Sequence, residues 1–353
     1  MHVETLLPLG KLDPGLRAPE QPLDVAAVAD DARLVEQLGY DGLVVEDTKD
    51  DPFIVMALAA HATQRIKLGT SVAIAFPRSP TVTAMSAWTL QKLSAGRFTL
   101  GLGSQVRAHI QRRFGMKDWT PAGPWMREYV QAVRALWQCW QHGTALDFAG
   151  EHYTLNLVVP LFNPGPIAHP HIPIHLAAVN EYMCRVAGEV ADGLRPHPIC
   201  TPRYIREVML PALRGGAQRT HRDAAGIAVC MKPLVATARD EAALQERVRT
   251  VRARVAFYAS TPAYRRVFEH HGLGDLAREL SQLARAQRWE ELPERISDET
   301  LHTFAVVGTY DRIAALLLER YRDLASHVEF SIPAATPEEQ ETLRAMVREI
   351  RQG

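Results

Sequence analysis

The sequence predicts a (β/α)8 barrel, and three observations predict it. Apolar residues switch repeatedly between strand-like and helix-like periods, the pattern of βα units rather than of separate β and α blocks. Eight strand segments can be counted with helices between them. The chain has 353 residues, more than the roughly 250 of the plain fold, so insertions are expected around 105–172 and 240–302 within a single domain. A doubly wound open sheet is the alternative, but no segment marks where strand order would reverse.

The elements follow in order. Val3 to Leu7 reads as the first strand. Asp24 to Leu38 carries Val25, Val28, Ala32, Val35 and Leu38 at helical spacing, stops at Gly39, and feeds the apolar run Leu43-Val44-Val45 as strand two. Pro52 to Thr63 is a helix, Ile66 to Ile74 strand three, and Thr81 to Leu93 a further helix. The helix tail breaks at Ser94 and Gly96, and Phe98 to Leu102 forms strand four, ending in Gly101-x-Gly103. Two glycines there would let bare backbone approach a planar ring or a phosphate, or would only make a tight strand-to-helix turn. An excursion follows, with a helix from Trp125 to Trp140 and a hairpin around Gly150. Ile174 to Ala177 is strand five, Glu181 to Ala191 a helix, Gly193 to Arg195 strand six, Pro202 to Leu213 a helix, and Ile227 to Ala236 strand seven. Residues 240–302 are largely helical and longer than one crossover needs. Asp311 to Leu324 is a helix, Val328 to Ile332 strand eight, and Pro337 to Arg351 the closing helix.

Composition narrows the function. With 47% hydrophobic and 23% charged residues the chain is an ordinary globular one, and 40 basic residues balance 40 acidic ones. No electrostatic footprint for nucleic acid or an anionic membrane results, and a small-molecule substrate is expected. Four cysteines lie scattered without C-x-x-C, no apolar run approaches the roughly 20 residues of a membrane span, and no basic leader precedes His2. A cytoplasmic protein is expected.

In a barrel, function gathers at the carboxyl ends of the strands. Those ends carry no nucleophile elbow and no H-E-x-x-H. His169-Pro170-His171 with His175 is the one metal-like group, and its spacing does not match a zinc site, so no metal is expected. Gly101-x-Gly103 lacks the third glycine of a dinucleotide fingerprint.

The strings Asp41-Gly42-Leu43-Val44-Val45-Glu46, Arg65 to Thr70, Arg78-Ser79-Pro80 and above all Leu93-Ser94-x-Gly96-Arg97-Phe98-x-Leu100-Gly101-Leu102-Gly103 resemble the luciferase-like monooxygenase superfamily. Phe148-x-Gly150-x-x-Tyr153, Ala187 to Gly193 and Val307-Gly308-Thr309 continue the likeness in the right order. Asp51-Pro52-Phe53, Ser104 to His109 and Phe257 to Arg265 resemble its branch dependent on the deazaflavin coenzyme F420.

The resemblance implies a cofactor, F420 or alternatively FMN, bound at the barrel mouth, often in a homodimer, with a separate flavin reductase as partner in the FMN case. It also implies a non-proline cis peptide at about Ser71 to Ala73. The cofactor ring would lie against Thr70, Ser71, Val72, Gly101, Gly103 and Ser104. Its phosphate would sit at Ala177, Ala178, Val179 and Asn180, at the start of the next helix, although Ala177 and Ala178 also suit close packing. Arg107 would pair with phosphate or an anionic tail. Arg112 and Arg113 fit a solvated helix face at least as well. Strand two ends in Glu46 and Asp47 where relatives commonly place a histidine, so the expected catalytic residues are Glu46, with a carboxyl pKa raised by burial, Asp47, and His109 as a proton-transfer group. His109 equally suits packing, and Asp50 a solvated loop. His197 and Phe76 are expected at the mouth, and Tyr258 and Tyr264 either lid it or dock a partner. A barrel that only binds a cofactor without catalysis is the remaining alternative.

Overall fold

A computed structural model describes residues 1–11, 16 and 22–353. Eight parallel strands close on themselves: β1 (His2–Leu6), β2 (Gly42–Val45), β3 (Lys67–Thr70), β4 (Phe98–Gly103), β5 (Ile174–Ala178), β6 (Gly193–Pro196), β7 (Ala228–Met231) and β8 (His327–Glu329). β1 pairs with β2 (Glu4 opposite Gly42) and with β8 (Val3 opposite Val328), which closes the ring through consecutive neighbours. The barrel reading is borne out, and the open sheet is excluded by that closure. No helix among the described residues is long and apolar enough to cross a membrane.

Strand three is broken. After Thr70 a cis peptide joins Ser71 to Val72, and the strand resumes as Ala73–Ile74. Gly69 lies opposite Thr99 and Ala73 opposite Leu102, so four steps along β3 match three along β4: one residue bulges. The glycines of β4 answer that bulge. A Cβ on Gly101 would stand 1.9 Å from the Thr70 carbonyl oxygen, and one on Gly103 2.6 Å from Val72 Cγ2. Thr70 Oγ1 donates to the Gly101 carbonyl at 2.6 Å and accepts from the Gly101 amide at 2.9 Å. Gly101 is therefore spent on its neighbouring strand, which corrects the expectation that it offers backbone to a ligand.

Arg97, in the string that carried the likeness, is a structural clamp. Its five donors reach the carbonyls of Ser94, Ile66, Ala60 and Thr63 and the Thr63 hydroxyl, at 2.8–3.1 Å. It ties the end of the helix Pro52–Ala62 to the start of β4. Helix starts are capped: Asp51, Ser79 and Asn180 each accept a first-turn amide, and Thr336 with Glu339 forms a capping box before the last helix, Pro337–Gln352.

Strand seven is shorter than expected. Pro233 has no amide to donate to a ladder, so β7 ends at Met231, and the apolar run continues as Leu234–Ala238. That segment leaves the barrel and pairs in parallel with Ala305–Thr309. The 240–302 excursion lies between these two strands and is helical, its main piece being Glu241–Ser260.

Candidate active site at the barrel mouth

A cavity of about 1030 Å³ opens at the carboxyl ends of the strands. Its volume is at the upper end of small-molecule sites. The walls fall into two halves of different chemistry.

The first half is charged and comes from β1, β2, β7 and β8. Lys232, one residue past β7, places Nζ 2.7 Å from Glu46 Oε1 and 3.1 Å from Glu329 Oε1. Lys11 Nζ holds the other Glu46 oxygen at 3.1 Å. Burial by itself would raise the Glu46 pKa, but the two ammonium groups outweigh it and hold the carboxyl down at about 2. This corrects the expected raised pKa: Glu46 is a fixed anion, unsuited to giving up a proton near neutrality. Burial would neutralise Lys232, yet Glu329 and Glu46 push its pKa up and keep it an ammonium. Glu329 goes the other way. Burial raises its pKa, with the Lys232 charge opposing and the Glu46 charge assisting. Its Oε2 has no hydrogen-bond partner among the described residues.

Beneath this network Arg195 makes two bonds to Glu4, at 2.9 and 3.2 Å, inside the barrel. Burial opposes both charges and each stabilises the other, so the Glu4 pKa is lowered and that of Arg195 raised. His175, beside them and 3.6 Å from Cys230 Sγ, is kept neutral by burial and by the Arg195 charge, with its pKa at about 3.

The second half is uncharged and closely shaped. Ser71, Val72, Gly103 and Ser104 form a ledge at the β3 bulge, and Ala177, Ala178, Val179 and Asn180 lead into the helix Glu181–Val190. Asn180 Oδ1 accepts from the Met183 amide at 2.9 Å. Other amides of that first turn have no partner within the helix.

The 240–302 excursion reaches the mouth. Arg247, Arg254, Tyr258 and Tyr264 all line the cavity. His197 lies stacked on Tyr264 (4.2 Å between centroids) and edge-on to Tyr258 (4.8 Å). Burial, then the Lys232 charge, lowers its pKa to about 3. Its Nδ1 accepts from the Ile199 amide at 3.3 Å, which assigns the proton to Nε2.

Of the residues expected at the site, Glu46, Asp47, Ser71, Val72, Gly103, Ser104 and Ala177 to Asn180 line one cavity. Asp47 is committed elsewhere, binding Arg78 at 2.5 Å and the Ile74 amide at 2.9 Å. Its task is to anchor the β3 bulge. Thr70 is buried behind the ledge with Gly101. Arg107 and His109 lie exposed on the short helix Arg107–Arg112, outside the cavity, with Arg107 Nε bonded to Gln111 at 3.0 Å. Arg113 Nη2 binds the Thr48 carbonyl at 2.5 Å. Phe76 stacks on Trp125 at 3.8 Å in the core rather than walling the pocket, and Trp137 is buried in the core as well.

Sequence reasoning missed Lys232, Glu329 and Arg195 as a connected set. A usable signal was present: charged side chains within or just past apolar strands are costly to bury singly, so several of them at strand ends point to mutual pairing.

Comparison with known proteins adds to this geometry. A model of the family described as luciferase-like monooxygenase matches residues 6–327. An uncharacterized protein of Mycobacterium tuberculosis is 42% identical over 330 residues, covering 94% of this chain and 96% of the relative. A second protein of that organism, 30% identical over 321 residues (85% and 87%), carries the provisional name coenzyme F420-dependent oxidoreductase. Among solved structures, the coenzyme F420 dependent tetrahydromethanopterin reductase of Methanopyrus kandleri superposes with a TM-score of 0.75 at 19% identity, covering 100% of this chain and 98% of that one.

Proposed function

The chain belongs to the luciferase-like monooxygenase family, and from that premise we propose that it is a coenzyme F420-dependent oxidoreductase that moves a hydride between a deazaflavin and a small organic substrate. The observation that carries this reading is the two-part cavity, in which a closely shaped, uncharged ledge faces a charged wall across about 1030 Å³. The relative and the structural neighbour named for F420 support it.

The residues fit such a cofactor. The ledge of Ser71, Val72, Gly103 and Ser104 would support a flat ring, and its small side chains allow close approach. A phosphate would meet the first turn of the helix Glu181–Val190, where amides point outward and the helix dipole favours an anion. Thr237 Oγ1, a cavity-lining hydroxyl with no partner among the described residues, is a buried polar atom that a ligand would satisfy. When bound, the deazaflavin supplies hydride chemistry at its ring. The chain itself orients the reactants, narrows water access at the mouth with Tyr258 and Tyr264, and fixes the local charge.

Homodimerisation belongs to the same proposal. Ile54 and Val82, on the neighbouring outer helices Pro52–Ala62 and Pro80–Leu93, are exposed apolar residues at 63% and 53%, with Met85 at 52%. Sedimentation analysis reads the oligomeric state directly.

The cofactor is tested by equilibrium titration of the purified protein with the deazaflavin and with FMN, side by side, following the fluorescence of each. Preferential deazaflavin binding is expected. Preferential FMN binding overturns the F420 assignment and directs the search to oxygen-dependent chemistry with a reductase partner.

A further inference from the structure

Resting on the hydride-transfer reading above, we propose that Glu329 is the catalytic proton carrier of this enzyme, with Lys232 as its positioning residue. Reduction of a carbonyl or imine by hydride needs a proton at the heteroatom, and the cavity offers few groups able to supply one. Glu46 is bound on both oxygens by ammonium groups, Asp47 is held by Arg78 and the Ile74 amide, and His109 stands outside the cavity. Lys232 is shared between Glu46 and Glu329. Both oxygens of Glu4 are held by Arg195, which is an always-charged guanidinium.

Glu329 differs from all of these. Only one of its oxygens is engaged, Oε1 with Lys232, while Oε2 is buried and has no partner among the described residues, on a side chain that lines the cavity and is 10% exposed. The titratable and charged groups facing it come from four elements: Lys232 past β7, Glu46 past β2, Glu4 on β1 and Arg195 on β6. Among these the two further carboxylates disfavour a third negative charge, and burial acts the same way. A carboxyl that takes up a proton in this setting can donate it from Oε2 while Oε1 stays on Lys232.

The step balances. As the hydride forms the new C–H bond, the carbonyl π pair moves to oxygen and takes the proton from Oε2, whose O–H bond breaks; the deazaflavin, reduced at the start, is left oxidised by two electrons. Lys232 steadies the resulting carboxylate until a proton returns from solvent through the mouth. In the oxidation direction Glu329 accepts the proton of an alcohol.

The test is a pH-difference infrared titration of the cofactor-free protein, wild type against Glu329→Gln and Glu46→Gln. A neutral-carboxyl band persisting at neutral pH is expected in the wild type and in Glu46→Gln, and its loss in Glu329→Gln. A wild-type band that Glu329→Gln leaves unchanged, or no such band at all, overturns the proposal. Deazaflavin titration separates this outcome from the cofactor reading, because wild-type protein that binds no deazaflavin overturns that reading whatever the infrared result. Glu329→Gln is expected to bind the deazaflavin within about threefold of wild type, since the neutral amide keeps an oxygen for Lys232. With any carbonyl compound the wild type reduces in a single turnover, Glu329→Gln should slow hydride transfer at least about 100-fold and remove the fall in rate at high pH. Full-rate turnover by that variant overturns the proposal.

Discussion

The two walls of the mouth are built on opposite principles. The β3 to β5 side is made of backbone and small side chains, with Gly101 and Gly103 placed where any Cβ would collide with the β3 bulge. The β1, β2, β7 and β8 side is made of paired polar groups, with Lys11 and Lys232 both on Glu46 and Lys232 also on Glu329. Shape is fixed on one side by sterics, which tolerate almost no change. Charge is fixed on the other by several partners, so the loss of one is shared. The comparison teaches that the first wall is vulnerable to a methyl group and the second to the removal of a charge.

The largest effect is expected on the shaped wall. Gly101→Ala would drive a Cβ into the Thr70 carbonyl oxygen and break the paired Thr70 hydrogen bonds, destabilising the barrel by roughly 3 kcal/mol, read as a lower denaturation midpoint. A midpoint unchanged by that variant would break the contrast.

On the charged wall Lys232→Met leaves Glu46 and Glu329 without their shared cation. Because a third of the Lys232 side chain is still exposed, a loss of about 1–3 kcal/mol is expected, less than for a sealed ion pair. The paired variant Lys232→Met with Glu329→Gln should recover part of it in a double-mutant cycle.

Acidification sharpens the comparison next. His175 and His197 have folded pKa values near 3 against 6.5 for an unperturbed histidine. Their folded values are depressed, so the stability they confer is present above pH 6.5 and is lost as pH falls from there toward 3. Each contributes a slope of at most about 1.4 kcal/mol per pH unit. Glu46, depressed from 4.5 to about 2, adds a second loss between those values. Glu329, shifted upward, acts in the opposite sense: its contribution is present at low pH and is lost as pH rises through its folded pKa. Urea unfolding across this range is expected to show net destabilisation on acidification.

Asn180→Ala removes the cap on the Met183 amide and should cost about 1 kcal/mol, with weaker binding of an anionic ligand at that helix start. The smallest effect is expected for His109→Ala. That side chain is exposed and outside the cavity, so stability should stay within about 0.5 kcal/mol and single-turnover rates should not change.

The sequence by itself determined the barrel, because the alternation of strand and helix periods and the length of the chain depend on local composition. The family likeness placed Ser71, Val72, Gly103 and Ala177 to Asn180 at the cofactor site, and they do line one cavity; the strand pattern by itself reached Gly103 and Ala177 to Asn180, because a barrel brings its strand ends to one face. Even the cis peptide between Ser71 and Val72, expected only through the family likeness, is in place. Tertiary structure alone decided which way each residue is used. Gly101 and Thr70 serve the neighbouring strand, and Arg107 and His109 leave the cavity on a short exposed helix. Glu46 finds Lys232 186 residues away, a partner that turns an expected acid into a fixed anion. A carboxyl's pKa depends on charges within a few ångströms, whatever their separation along the chain. Sequence lists the charges, and only closure of the barrel sets the distances between them.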